Sequence, residues 1–263
     1  MTRTIAWVVG SLALAAALIA GAWWWQTRTT PAVAPPPVAQ TPEPAPPAPS
    51  APKIEHPIEG AQVEPSAPPQ VPLDASDAAI RESLASLFKG NKLPEWVQPM
   101  HVIRNIVATI DNLPRSKAAP RLLPVQPTAG ALSITAGGEQ LLIAPDNSAR
   151  YAPVITLVQA VDTKQLVAIY VRFYPLFQQA YRELGYPNGY FNDRLVAVID
   201  HLLATPNVKA PIALVQPKVL YQYAEPDLEA LSSGQKAMIR VGPDNAAVLK
   251  VKLSEIRSQV TGR

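Results

Sequence analysis

Two carboxylates flank a short turn that is rich in aromatic residues. Glu183 and Asp193 lie on either side of residues 185–190, which read Gly-Tyr-Pro-Asn-Gly-Tyr. Glycoside hydrolysis uses two carboxyl groups about 5–9.5 Å apart, so this pair admits a hydrolase that cuts cell-wall glycan. Each acid also has a structural explanation. Glu183 ends a predicted helix, and Asp193 falls in the first turn of the next one, where the helix dipole favours a negative charge.

An aromatic stripe precedes this turn, with Tyr170, Phe173, Tyr174, Phe177 and Tyr181 at helical spacing. A stripe of this kind usually packs in the core. Because buried tyrosine hydroxyls need hydrogen-bond partners, some of these rings are expected to reach the edge of the core or a cleft. Such a cleft would suit a sugar ring or a peptide. Its candidate residues are Arg150, Tyr151, Tyr174, Tyr181, Glu183, Tyr186, Asp193 and Arg194.

Other motifs that could do chemistry are incomplete. Ser233 to Lys236 matches the Ser-x-x-Lys pattern of penicillin-binding proteins, but the companion elements of that motif are absent, so we interpret Gly234 as a helix breaker. His101 and His201 each stand alone on a predicted helix, which predicts neither a metal site nor a cofactor. The chain has no cysteine, which excludes disulfides and thiolate catalysis. A non-enzymatic domain is therefore favoured.

The elements that carry these residues are mostly helices. Residues 73–263 are predicted to form one mainly α domain with a small β-hairpin around Gly137-Gly138 and a short strand at Val219–Tyr223. Asn192 is the expected cap of the helix after the aromatic turn, and Pro175 is expected to kink the helix before it. The predicted helices cover residues 74–90, 95–113, 153–161, 164–184, 192–204, 226–231, 235–241 and 244–260.

The first 28 residues are typical of a transmembrane anchor. Ile5–Trp25 is uncharged and spans about 31 Å as a helix, and Trp23, Trp24 and Trp25 suit the lipid–water boundary. Arg3 and the N-terminal amine outweigh Arg28, which favours a cytoplasmic N-terminus. Because the span holds no ionisable residue, we interpret it as a tether. A signal peptide cleaved near residues 20–22 is the alternative.

Residues 29–72 form a proline-rich linker. Half of the 30 prolines lie between Pro31 and Pro72, and proline favours an extended chain over helix or sheet. The net charge of the whole chain is only +3, and the basic residues are scattered. Nucleic acid is therefore not an expected partner, since its binding usually needs a basic face.

Several strings together resemble a known but uncharacterised family. They are Arg104–Arg115, Ala149–Tyr151, Tyr174–Leu176, Ala180–Pro187, Leu203–Pro206 and the stretch from Val219 to Ala246. The family is a domain of unknown function in proteobacterial membrane-anchored proteins, and the likeness covers about residues 76–260. It implies a bacterial inner-membrane protein with the domain in the periplasm, and it supplies no activity, substrate or cofactor.

These observations lead to three hypotheses about function. The first is a single-pass inner-membrane protein that presents a periplasmic binding or scaffolding domain to an envelope protein or to peptidoglycan. The second is a wall-acting hydrolase that uses Glu183 and Asp193. The third is a spacer whose domain only packs.

Overall fold

The computed structural model describes residues 53–63, 67–88, 90 and 92–262, so the predicted anchor and much of the linker lie outside it. Its described part is mainly helical, which confirms the predicted class. No single helix there is long and apolar enough to cross a bilayer; Pro145–Ala160 and Thr163–Glu183, bent by 80°, meet that test only as a pair. The α-helices are α1 (Asp77–Ala85), α2 (Val102–Asn112), α3 (Ala152–Ala160), α4 (Thr163–Glu183), α5 (Phe191–Leu203), α6 (Pro226–Glu229), α7 (Ser233–Arg240) and α8 (Pro243–Thr261).

A small antiparallel sheet accompanies the helices. Its strands are β1 (Ile134–Gly137), β2 (Gln140–Ile143), β3 (Ala213–Val215) and β4 (Gln222–Tyr223), paired in chain order. The predicted hairpin is β1–β2, but the sheet is larger because β3 pairs with β2 after α3, α4 and α5 have intervened. The predicted strand at Val219–Tyr223 is reduced to its last two residues. Ahead of them, Val219 and Leu220 are 85% and 77% exposed.

The main core lies between α1, α2, α4 and the start of α5. Phe173 and Phe191 are fully buried there, and the rings of Phe177 and Phe191 stack with centroids 5.9 Å apart. The apolar stripe of α2 packs against α4, and α8 covers α3, α4 and α5 from the other side. The aromatic stripe of α4 is therefore core, as its spacing indicates.

Several helix boundaries differ from the predictions. The second helix begins at Val102 and not near Glu95, because His101 adopts a left-handed conformation (φ 55°) and the Asp77 carboxylate accepts hydrogen bonds from the amides of residues 101 and 102. The first helix ends at Ala85, before the Gly90 stop. Asp162 caps α4 as expected, by accepting from the amide of Gln165 at 2.8 Å. The helix α4 runs through Pro175 as one element.

Residues 53–63, which the sequence assigns to the linker, lie against the helical domain. We call them the N-terminal strap. The strap includes a short 3-10 helix, Ile58–Gly60. The backbone amide of Gln62 donates to the carbonyl of Gln259 in α8 at 2.8 Å. The amide of Ile58 donates to the hydroxyl of Tyr190 at 2.8 Å. The strap itself contains one proline, Pro57, and residues on either side of it donate hydrogen bonds to the helical domain.

Asn192 is not the cap of α5 but the residue that ties three elements together. The helix starts at Phe191, so Asn192 lies inside it and is fully buried. Its side-chain amide donates to the carbonyl of His56 at 2.9 Å and to that of Val260 at 3.1 Å. A buried amide satisfied in this way holds the strap and the end of α8 on α5.

Candidate ligand-binding site

The hydroxyl of Tyr174, a buried residue of the predicted cleft, has its partners inside the domain. Tyr174 donates to the side-chain oxygen of Gln178 at 3.1 Å and accepts from the amide of Asn192 at 3.3 Å. Burial raises the pKa of Tyr174, and of Tyr170 beside it, well above the usual value. Both hydroxyls are therefore neutral, satisfied core groups.

Tyr181, Tyr186 and Arg194 meet at a buried carboxylate, that of Asp111. The rings of Tyr181 and Tyr186 stack at 4.6 Å, and the Tyr186 hydroxyl donates to Asp111 at 3.1 Å. Arg194 and Arg115 also pair with Asp111, which is 1% exposed. Sequence reasoning missed this acid. The sequence could have revealed Asp111 by its position, four residues after Val107 on the apolar face of α2. A carboxylate buried there requires partners.

The two carboxylates of the hydrolase hypothesis have separate partners. Glu183 pairs with Arg104 and accepts from Gln179 at 2.9 Å, and these hydrogen bonds lower the pKa of Glu183. Asp193 accepts the strap amides of Glu55 and His56 at 3.1 and 2.6 Å. A glycosidase acid needs a raised pKa, so the setting of Glu183 does not support that reaction.

Arg150 and Tyr151 lie at the end of a 3-10 helix, Pro145–Tyr151. Arg150 donates to the carbonyls of Ala129 and Gly130 at 3.1 and 2.6 Å and lies over the Tyr151 ring at 5.6 Å. In the part of the chain that the structure describes, no hydrogen bond, ion pair or ring contact joins these two residues to the other six. The eight predicted residues thus do not form one cleft, and none of them lines the cavities described next.

A long apolar groove lies elsewhere, between α1, α2, α3 and α8. It has a volume of about 380 Å³, within the range of small-molecule sites. Two irregular segments close its sides, residues 93–97 and 124–125, which meet in a bridge between Val97 and Val125. Eighteen of its nineteen lining residues are apolar. The apolar groove is lined by, among others, Leu84, Trp96, Val102, Val125, Leu157 and Leu253.

A second apolar space adjoins the groove, and buried core residues such as Phe177 and Phe191 help to line it. This inner cavity has a volume of about 160 Å³, and none of its thirteen lining residues is exposed. An apolar space of this size can accept an apolar molecule. The groove and the inner cavity share four lining residues, Leu84, Ile106, Leu166 and Ile256.

The polar groups at these two spaces are already engaged. Lys252, the single charged residue in the groove lining, donates to the carbonyl of Val161 at 3.0 Å and to Thr163 at 2.9 Å, and it pairs with Glu255 at 3.1 Å. In the inner cavity, the Tyr170 hydroxyl donates to Asn192 at 3.1 Å. The site therefore offers contact area and no unpaired charge to a ligand.

One family model matches this chain, over residues 102–257 and thus over more than half of its length. Its description is a protein of unknown function, DUF3014. The chain belongs to the DUF3014 family. The resemblance to an uncharacterised family is thereby confirmed. No curated protein and no solved structure matches the chain.

The DUF3014 region begins with α2 and includes α3, α4 and most of α8, so it supplies most walls of the groove. The helix α1 and the strap precede it. The apolar residues of 93–97 also precede it, and the sequence pattern did not predict a groove there. Leu93, Trp96 and Val97 are large apolar residues that lie outside any helix. Their side chains therefore contact the rest of the domain from a loop.

Two further features of this DUF3014 protein have a bearing on chemistry. His201 lies 2.8 Å from the hydroxyl of Ser232, but that oxygen accepts the amide of Gln235 and belongs to the capping box of α7. The Ser-x-x-Lys string is thus the first turn of a helix. Within the described residues, no three His, Cys, Asp or Glu side chains stand close enough to share a metal ion.

Proposed function

We propose that this protein is a single-pass protein of the bacterial inner membrane whose periplasmic domain binds an apolar ligand in the groove. The observation that carries the binding activity is the groove itself, with its volume of about 380 Å³ and its single, already paired, charge. A site with these walls favours an apolar group over a sugar or a charged peptide, since polar groups buried there would lose their hydrogen bonds.

The location rests on the sequence. The uncharged run Ile5–Trp25, the flanking Arg3 and the proline-rich residues that follow support an anchor with a cytoplasmic N-terminus and an exported domain. Alkaline phosphatase, which is active only after export, should be active when it is fused after residue 263, and a fluorescent protein that folds only in the cytosol should be dark there. The reverse pattern would refute the location and leave the groove untouched.

Trp96 provides a direct measurement of binding. The chain has five tryptophans, and Trp96 in the groove is the one that lies beyond residue 25. In a full-length protein in which the other four are replaced by phenylalanine, Trp96 emission reports on the groove alone. In nanodiscs, with empty nanodiscs as blank, we expect saturable quenching by a brominated apolar ligand.

Two valine-to-glutamate substitutions, one inside the groove and one outside it, test whether the quenching arises from binding in the groove. Val158→Glu places a carboxylate in the groove wall, whereas Val251→Glu places the same group on α8 at a position that is 61% exposed. We expect loss of quenching in the first variant and wild-type quenching in the second. Equal quenching in both variants, or none in the parent, would refute the proposed binding activity.

A further inference from the structure

We infer that the groove holds one unbranched hydrocarbon chain of a single-chain amphiphile, such as a fatty acid, with its methyl end in the inner cavity. This assignment rests on the proposed function and adds the class and orientation of the ligand. Its starting point is that the two spaces adjoin. Leu84, Ile106, Leu166 and Ile256 line both, and a chain that passes between these side chains would reach from the groove into the inner cavity.

The shape of the inner cavity selects a thin chain. It lies among side chains of α1, α2, α4, α5 and α8, and none of its lining residues is exposed. Packed helices have axes about 8–10 Å apart, and a helix with its side chains is about 10–12 Å wide. A partner helix could therefore cover the groove but could not enter the inner cavity, whereas a polymethylene chain can.

The chemistry of the walls selects a hydrocarbon. A peptide strand in this space would bring amide and carbonyl groups, and each would need a partner. The Tyr170 hydroxyl is bonded to Asn192, and the Lys252 ammonium is bonded to Val161, Thr163 and Glu255. A hydrocarbon makes no such demand, and it fills volume that would otherwise leave the lining side chains without contacts.

The bonds that Lys252 already makes within the domain determine where the head group lies. No unpaired cation of the lining is directed at a carboxylate or phosphate, so the head group remains in solvent at the open side of the groove. A lipid with two acyl chains would place one chain inside and leave the other in water. The occupant is therefore a ligand with a single chain, and the affinity depends on chain length more than on head group.

Photocrosslinking in nanodiscs tests the orientation with the full-length protein. Two palmitate probes are used, one with a diazirine at the methyl end and one with a diazirine beside the carboxylate, and the labelled residues are located by mass spectrometry. We expect the methyl-end probe to label residues that line the inner cavity alone, such as Ile110, Val167 and Leu195. The carboxylate-side probe should label residues of the groove alone, such as Trp96 and Leu157.

A competition experiment tests whether the affinity depends on the length of the hydrocarbon chain. Octanoate, dodecanoate and hexadecanoate should displace the probe with an affinity that rises about fourfold for each methylene that is buried. Val167→Phe fills the inner cavity, so it should remove labelling by the methyl-end probe and abolish the advantage of hexadecanoate over dodecanoate. Leu195→Trp does the same from α5 and serves if the first variant does not fold. Val196→Ile, on the same helix but outside the cavity, should behave as wild type.

The outcomes separate this assignment from the proposed function. If Trp96 is quenched but both probes label the same groove residues, the groove binds an apolar ligand and the chain orientation inferred here is wrong. Displacement by a diacyl phosphatidylglycerol as effective as that by palmitate would also overturn it. If Trp96 is not quenched at all, both the proposed binding function and this assignment are wrong.

Discussion

Arg194 binds Asp111 twice: its Nε donates to Oδ1 at 3.0 Å, and its Nη2 donates to the backbone carbonyl oxygen at 2.8 Å. The second bond is made to one of the last carbonyls of α2, which have no partner inside the helix. The Arg194 side chain of α5 thus pairs with the buried Asp111 carboxylate and also caps the C-terminal end of α2. The Tyr186 hydroxyl donates to the same carboxylate, and the Tyr186 ring stacks on that of Tyr181.

Loss of Arg194 should therefore cost more stability than loss of Arg115, the other partner of Asp111. Arg194→Ala leaves a carboxylate that is 1% exposed without its main partner, and we expect a decrease in the free energy of unfolding of about 3 kcal/mol. Arg115 is 55% exposed and solvent screens its charge, so Arg115→Ala should cost clearly less than Arg194→Ala. Urea unfolding measures both. Arg182→Ala, at an exposed position of α4, is the control, and equal losses in all three variants would contradict this assignment.

Asp193 should control whether the strap stays bound. Its carboxylate accepts the amides of Glu55 and His56, so Asp193→Ala removes two charge-assisted hydrogen bonds at the edge of the domain. We expect amide hydrogen exchange of residues 55–62 to accelerate about tenfold, while exchange in α4 is unchanged. Glu59→Ala, an exposed acid in the strap itself, should leave that exchange unaltered. Identical exchange in the Asp193 variant and the wild type would show that the carboxylate does not hold the strap.

The inner cavity predicts a stabilising substitution. Val167 lines it and is 1% exposed, so Val167→Ile adds one methylene to empty space and should raise the free energy of unfolding by about 1 kcal/mol. Val196 is equally buried but does not line the cavity, and Val196→Ile should be neutral or destabilising because that site is filled. Thermal unfolding of the two variants, which carry the same chemical change, decides whether the space is empty in solution.

Glu229 should make stability depend on acid pH. Burial alone would raise the pKa of Glu229, but hydrogen bonds from Lys236 and from the amide of Tyr223 outweigh it, and the pKa is lowered. A lowered pKa means that the stabilisation is complete above about pH 4.5 and is lost as the pH falls through the folded-state pKa. The difference in unfolding free energy between wild type and Glu229→Gln should therefore shrink in acid. Glu225→Gln, at an exposed neighbour, should show little difference at either pH.

The sequence predicts the helices well where one apolar stripe suffices. The stripe of α4, its Asp162 cap and the β1–β2 hairpin are all local patterns, and each was correctly predicted. Pairing of β3 with β2 depends on where three intervening helices bring the chain, which no local pattern specifies. The start of α2 depends on Asp77, 25 residues away, and was misplaced for the same reason.

The site was harder to predict than the fold. A search for polar residues that could do chemistry led to tyrosines and acids, and these have their partners inside the domain. The groove is an unfilled space between apolar side chains of several helices and two loops. Apolar residues that fill a core and those that border an empty space look the same in a sequence, so only the three-dimensional arrangement separates Val167 from Val196.

In the proposed membrane-anchored protein, the strap also limits how far from the bilayer the domain can act. With residues 53–63 bound to the domain, and with the anchor proposed here, only residues 29–52 remain to bridge the distance between them. At about 3.1 Å per residue that stretch reaches at most about 75 Å. Release of the strap would lengthen this tether by eleven residues, so, if the proposed location holds, the hydrogen bonds of Asp193 and Asn192 set the greatest distance from the membrane at which the groove can bind.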